Sequence, residues 1–200
     1  ADSPEGGWCR RRAPRESMNA AKETVFWEQD AESGWRPKNE VPWWTDDVPI
    51  CSISWEDMLD CCDWLTKRTG GDRWTFEFPT EDEWERAARG PDGRFMPWGD
   101  SADAAFCRLR DSRVRERKEL RPEPVGLFPL DESPFGLRDL GGGMEEWTST
   151  MTGNEKQWRI DKGGHWSGSA ATCRSANRSC GGMGRTFSHH SFRLMARRAP

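Results

Sequence analysis

Tyrosine is absent, and histidine occurs only three times in 200 residues. No apolar run approaches the ~20 residues that a helix needs to cross a bilayer, so a membrane span is not expected. No CxxC pair and no Cys/His array has the spacing of a zinc site. The opening stretch ADSPEGGWCRRRAPRES is polar and lacks the apolar centre of a leader peptide. It also lacks an initiating Met, which is compatible with processing or trimming. An excess of one charge sign is missing too: 30 basic against 34 acidic residues leave a formal net charge of −4, with no global attraction to nucleic acid.

What is present is unusual. Thirteen Trp, nine Phe, 20 Gly and 13 Pro point to a compact, loop-rich core rather than to long helices. At this length, one domain is the default. Seven cysteines cannot all pair internally. Reduced thiols in the cytoplasm are the plainest reading, and one or two disulfides in an exported or surface-displayed protein stay open.

Residues 1–45 read as an irregular segment packed on, or trimmed from, a domain over 46–200; a short helix is compatible with 18–30. Residues 54–68 predict a helix. Ser54 caps it, Glu56 and Asp57 suit its positive first turn, Lys67 and Arg68 its last, and Gly70-Gly71 stops it. Trp55, Met58, Leu59, Cys62 and Leu65 fall on one face, which makes Cys62 a buried apolar side chain. WTFEF (74–78) alternates as a short strand. PTEDEWERAARG then predicts a second helix over 80–89, with a Thr80/Glu83 capping box and Gly90 at its end. The mixed-sign charge run over 108–124 has no interleaved aromatics and reads as a solvated loop rather than a nucleic-acid patch. VGLFP, FGLRDLGGGMEEWTS, WRIDKGGHW and SFRLMAR read as strands and tight turns.

From residue 48 on, seven pieces stand in the order found in the formylglycine-generating enzyme (sulfatase-modifying factor) family: VPICSISWEDMLDCCDWL, FPTEDEWERAARG, FMPWGD, PFGLRDLGGGMEEWTS, DKGGHW, CRSANR and FRL. The resemblance implies an α+β fold, an elaborated C-type lectin with two helices, a short twisted antiparallel sheet and much irregular loop. Within it, Trp84, Trp98 and Trp147 are expected as core indoles donating to backbone acceptors. Gly163-Gly164 is expected at a tight turn, and Arg174, Arg178 and Arg193 as loop braces.

Activity in the resembled family implies two copper(I)-binding thiolates five residues apart, a soft-ligand choice. Counted without gaps, those places hold Gly168 and Cys173, so a copper-dependent oxidase is the disfavoured alternative and no catalytic residue is expected. The related sulfoxide synthases imply a histidine cluster. Three histidines do not supply it, and His189 and His190 on an extended chain would point to opposite sides. The family's calcium loop maps onto Asp139, Gly142, Met144 and Glu146, hard oxygen donors suited to calcium, although Gly143 and Glu145 replace its Asn and Trp. No required cofactor is expected, and calcium at these positions is the one the resemblance implies.

The stretch 165–193 resembles the variable region of diversity-generating retroelement proteins, in which GGHW, CRSANR and FRL form a fixed frame around templated positions. Changing the first two letters of an Asn codon cannot yield Lys, Glu, Gln, Trp or Met. Residues 167–191 contain none of these except Met183, which must then be fixed, and no Asp either. The implied function is non-catalytic binding of an unknown protein or surface ligand through Ser167, Ser169, Ala171, Thr172, Asn177, Ser179, Cys180, Thr186, Phe187, Ser188, His189 and His190. A fixed sensor or adaptor domain of the same family is the other alternative.

Overall fold

The computed structural model describes residues 13–19, 22–31, 34–69, 73–113, 120–152 and 157–198. Its first elements correct the sequence reading. In place of an irregular or helical segment, four strands pair antiparallel, β1 (Arg15–Asn19) with β2 (Lys22–Val25) and β3 (Trp27–Asp30) with β4 (Gly34–Pro37). The physical reason is packing. Phe26 and Trp27 lie against Trp44, ring centroids 6.2 and 5.8 Å away, and such contacts outweigh weak local propensity.

Helix α1 (Trp55–Arg68) begins at a reciprocal cap: Ser54 Oγ accepts from the Asp57 N–H at 3.2 Å, and the Asp57 carboxylate accepts from the Ser54 N–H at 2.9 Å. It buries Trp55, Met58 and Cys62, whereas Leu59, expected on the same face, is exposed. Gly70-Gly71, the expected stop, lies outside the described residues. β5 (Trp74–Glu77) follows, then α2 (Glu81–Arg89), capped by Thr80 and Glu83. Gly90 ends α2 at φ +68°, and a Cβ there would meet Pro134 Cγ at 2.6 Å.

The last third of the chain builds the main sheet. β6 (Glu145–Met151), β7 (Trp158–Lys162) and β8 (Arg178–Gly182) pair antiparallel, and the two-residue β9 (His190–Ser191) joins β6 in parallel, giving the order β8-β7-β6-β9. β10 (Met195–Arg198) returns to β5. Ile53, Trp55, Met58, Cys62, Phe78 and Trp147 make one buried cluster between α1 and this sheet.

The three indoles divide. Trp98 donates to the Ser101 carbonyl at 2.8 Å as expected, but it is half-buried rather than a core indole. Trp84 donates instead to the Glu146 carboxylate at 2.7 Å, and the buried Trp147 N–H meets no acceptor among the described residues. Gly163 turns at φ +86°, and a Cβ on Gly164 would stand 2.6 Å from the Gly141 carbonyl oxygen, so the expected tight turn is there. The charge run is not wholly solvated: Arg108 is buried and ion-paired with Glu123 at 2.9 Å, while residues 114–119 lie outside the described residues.

Candidate functional site

After the Gly163-Gly164 turn the chain runs across the sheet through a 3-10 turn (Ala170–Cys173) and strand β8. Ala171, Ser179 and Cys180 are exposed. Ser167, Ser169, Thr172, Asn177, Phe187, Ser188 and His189 are half-buried. Thr186 and His190 are not on the surface: they are only 1% and 4% exposed, which removes both from the ligand-facing set. Phe187 is no free apolar anchor, because its ring packs on His189 and His190 with centroids 5.4 and 4.7 Å apart.

In CRSANR, Cys173 and Ser175 are buried while Arg174, Ala176 and Arg178 face out. Met183 packs against the Trp55–Trp147 cluster, its N–H donating to the Gln157 carbonyl and its carbonyl accepting from the Trp55 N–H. Arg193 braces as expected, donating to Glu146 and to the Arg138 carbonyl. Arg178 reaches Glu81 at 3.5 Å, and Arg174 is exposed. Arg185 is also exposed, and residues 167–191 contain no acidic residue, so the segment's own exposed charges are basic.

Beneath that face the three histidines meet, which corrects the expectation that His189 and His190 diverge. A hydrogen bond from the His190 N–H to the Phe187 carbonyl makes residues 187–190 a turn instead of an extended run, and the two rings stand edge to face with centroids 4.7 Å apart. Parallel pairing of β6 with β9 sets Glu145 opposite His190. The Trp166 N–H donating to the Gly143 carbonyl brings His165 alongside. The Glu145 carboxylate then lies 3.1 Å from His190 Nε2, 3.6 Å from His189 Nε2 and 4.0 Å from His165 Nε2. Asp161 stands behind, 3.8 Å from His190 Nε2. Burial dominates the titration of the group. It pushes His189 down to about 3 and His190 down to about 4, lowers His165, and raises Glu145; Asp161 is pushed up to about 7.

The calcium set does not fit its ion. Glu146 is already engaged by the Trp84 indole and the Arg193 guanidinium, and Asp139 accepts from the Gly126 N–H at 2.7 Å. A fixed cation holds the carboxylate that calcium would need. The thiol site also differs from the resembled pattern. A Cβ on Gly168 would lie 2.8 Å from Thr172 Oγ1, and Cys173 instead meets Cys107, sulfur to sulfur at 3.3 Å, inside a cluster with Met96 and Leu109. Both cysteines are buried.

Residues 12–198 match the sulfatase-modifying factor enzyme 1-like domain family. The inactive C-alpha-formylglycine-generating enzyme 2 of Bos taurus is 31% identical over 153 residues, covering 72% of this chain and 45% of that relative. The formylglycine-generating enzyme of Bos taurus is 29% identical over 110 residues, covering 52% of this chain and 27% of that enzyme. The chain thus spans less than half the length of these curated relatives. Among solved structures, PvdO from Pseudomonas aeruginosa superposes with a TM-score of 0.69 at 17% identity, covering 96% of this chain and 75% of that one. Treponema denticola variable protein 1 superposes at 0.63 and 18% identity, covering 97% and 81%. At these identities the superpositions establish a shared fold.

Proposed function

The chain belongs to the sulfatase-modifying factor enzyme 1-like family, and within it we propose a non-catalytic binding protein that presents a replaceable surface between the Gly163-Gly164 turn and Phe192-Arg193-Leu194. The observation that carries this reading is the placement of Met183. It is the one residue of 167–191 that two-letter changes to an Asn codon cannot produce, and it is packed on the core, while Ala171, Ser179 and Cys180 stand outside. Supporting it are a relative named as inactive and the enclosure of Cys173 with Cys107 away from solvent. The exposed Arg174, Arg178 and Arg185 favour ligands that carry acidic groups.

Sequencing many independent copies of the gene with its flanking DNA tests the reading. Substitutions confined to codons of the outward positions, beside a near-copy of the segment and a reverse transcriptase gene, are expected. Invariant copies with no such near-copy overturn it in favour of a fixed adaptor domain.

A further inference from the structure

His165, His189 and His190 are all the histidines of the chain, and they come together on one buried carboxylate. We propose that Glu145, His165, His189 and His190 form a binding site for a late first-row divalent cation, zinc foremost, held by imidazole Nε2 atoms and one carboxylate oxygen.

Geometry is the first argument. Ligand atoms of Glu145, His189 and His190 lie within 4.8 Å of one another. Zinc bonds of about 2.0–2.1 Å in a tetrahedron set neighbouring donor atoms roughly 3.3 Å apart. The 3.1 and 3.6 Å separations of Glu145 from His190 and His189 bracket that edge, and His165 Nε2 stands 4.0 Å from the other Glu145 oxygen. His165 Nε2, beside that second oxygen, is the fourth donor. Imidazole nitrogen and carboxylate oxygen are the donors that zinc and its neighbours prefer.

Charge is the second argument. Buried carboxylates are stable when a cation answers them, and the ion-pair contacts of Glu145 are with these three imidazoles. A divalent cation among these four side chains supplies that charge. Orientation is the third. His165 Nδ1 shares a 2.9 Å hydrogen bond with Ser167 Oγ, which turns Nε2 toward Glu145, the outer-shell support typical of metal-bound histidine. The His189 side chain is 29% exposed, leaving an entry path. Three of the four ligands lie in the segment 165–193, so the site takes His165, His189 and His190 as fixed positions there, and its failure leaves the outward Ala171, Ser179 and Cys180 untouched.

The test uses the full chain stripped by a chelator, with Co2+ as a visible probe and Zn2+ as competitor. One equivalent of Co2+ is expected to bind with the intense d–d absorption of a four-coordinate N/O site, and one equivalent of Zn2+ to displace it. Zn2+ is also expected to raise the melting temperature. His189→Ala and His165→Ala should each weaken binding more than the about 10- to 100-fold that loss of an outer-shell contact brings, with the circular dichroism of the metal-free protein unchanged. Because both side chains are partly exposed, either variant suffices if the other fails to fold. Absence of stoichiometric binding overturns the site. So does binding unchanged in both variants, or a sulfur-to-cobalt charge-transfer band that disappears in Cys180→Ser.

Discussion

Cys107 and Cys173, 66 residues apart in sequence, meet with their sulfurs 3.3 Å apart where the side chains are 0% and 2% exposed. The contact with Cys173 and then burial push the Cys107 thiol well above the usual cysteine range. Thiolate, not thiol, is the reactive form. Iodoacetamide on the native protein is therefore expected to modify the exposed Cys180 before either partner, as read by peptide mass spectrometry. Alkylation of Cys107 or Cys173 at the rate of Cys180 would contradict the enclosure, and with it the case against a thiol catalyst.

A second prediction concerns Glu146 and Arg193. Their pair is mostly shielded, with side chains 8% and 22% exposed, and Trp84 donates to the same carboxylate. Glu146→Gln keeps the shape but leaves the guanidinium without its countercharge, at an expected cost of about 3 kcal/mol in urea denaturation. Calcium and EDTA should leave the midpoint of the parent protein unchanged. A loss under about 1 kcal/mol, or a midpoint that rises with calcium, would show that Arg193 is not the resident cation.

Asp131 supplies a pH dependence. It is buried beneath Gly141 and Gly142, whose N–H groups donate to it, and burial outweighs those donors, pushing it up to about 7. A carboxyl whose folded pKa exceeds its unfolded value stabilises fully below the unfolded value of 3.8, and this contribution fades as pH rises through about 7. Asp131→Asn removes the titration and leaves a constant offset. Urea stability measured from pH 4 to 8 should show the parent declining relative to the variant as pH climbs. Parallel curves would mean that Asp131 is ionised throughout.

The helices were legible because their signals are local. Ser54 and Asp57, or Thr80 and Glu83, lie three residues apart, and each pair closes on itself in the fold. The N-terminal strand pairs were not, since what holds them is contact with Trp44, outside the strands themselves. The histidine cluster was hidden for the same reason at longer range. Glu145 and His190 are 45 residues apart and meet only through a two-residue parallel pairing that no periodicity announces. Glu145 was visible as a departure from the calcium-loop pattern and His165 as part of the GGHW frame, yet nothing linear joined them. Within the surface segment, the fixed character of Met183 followed from codon logic, whereas the burial of Thr186 needed the fold.

If the outward positions of 167–191 are replaceable on a rigid frame, one denaturation comparison shows it most directly. A triple variant carrying Ala171→Thr, Ser179→Thr and Cys180→Thr should lie within about 1 kcal/mol of the parent, as exposed substitutions do. Gly181→Ala, one residue along the same strand, should cost about 1–3 kcal/mol, because its Cβ would stand 2.5 Å from Trp147 Cη2. A triple variant as damaged as Gly181→Ala would contradict the claim.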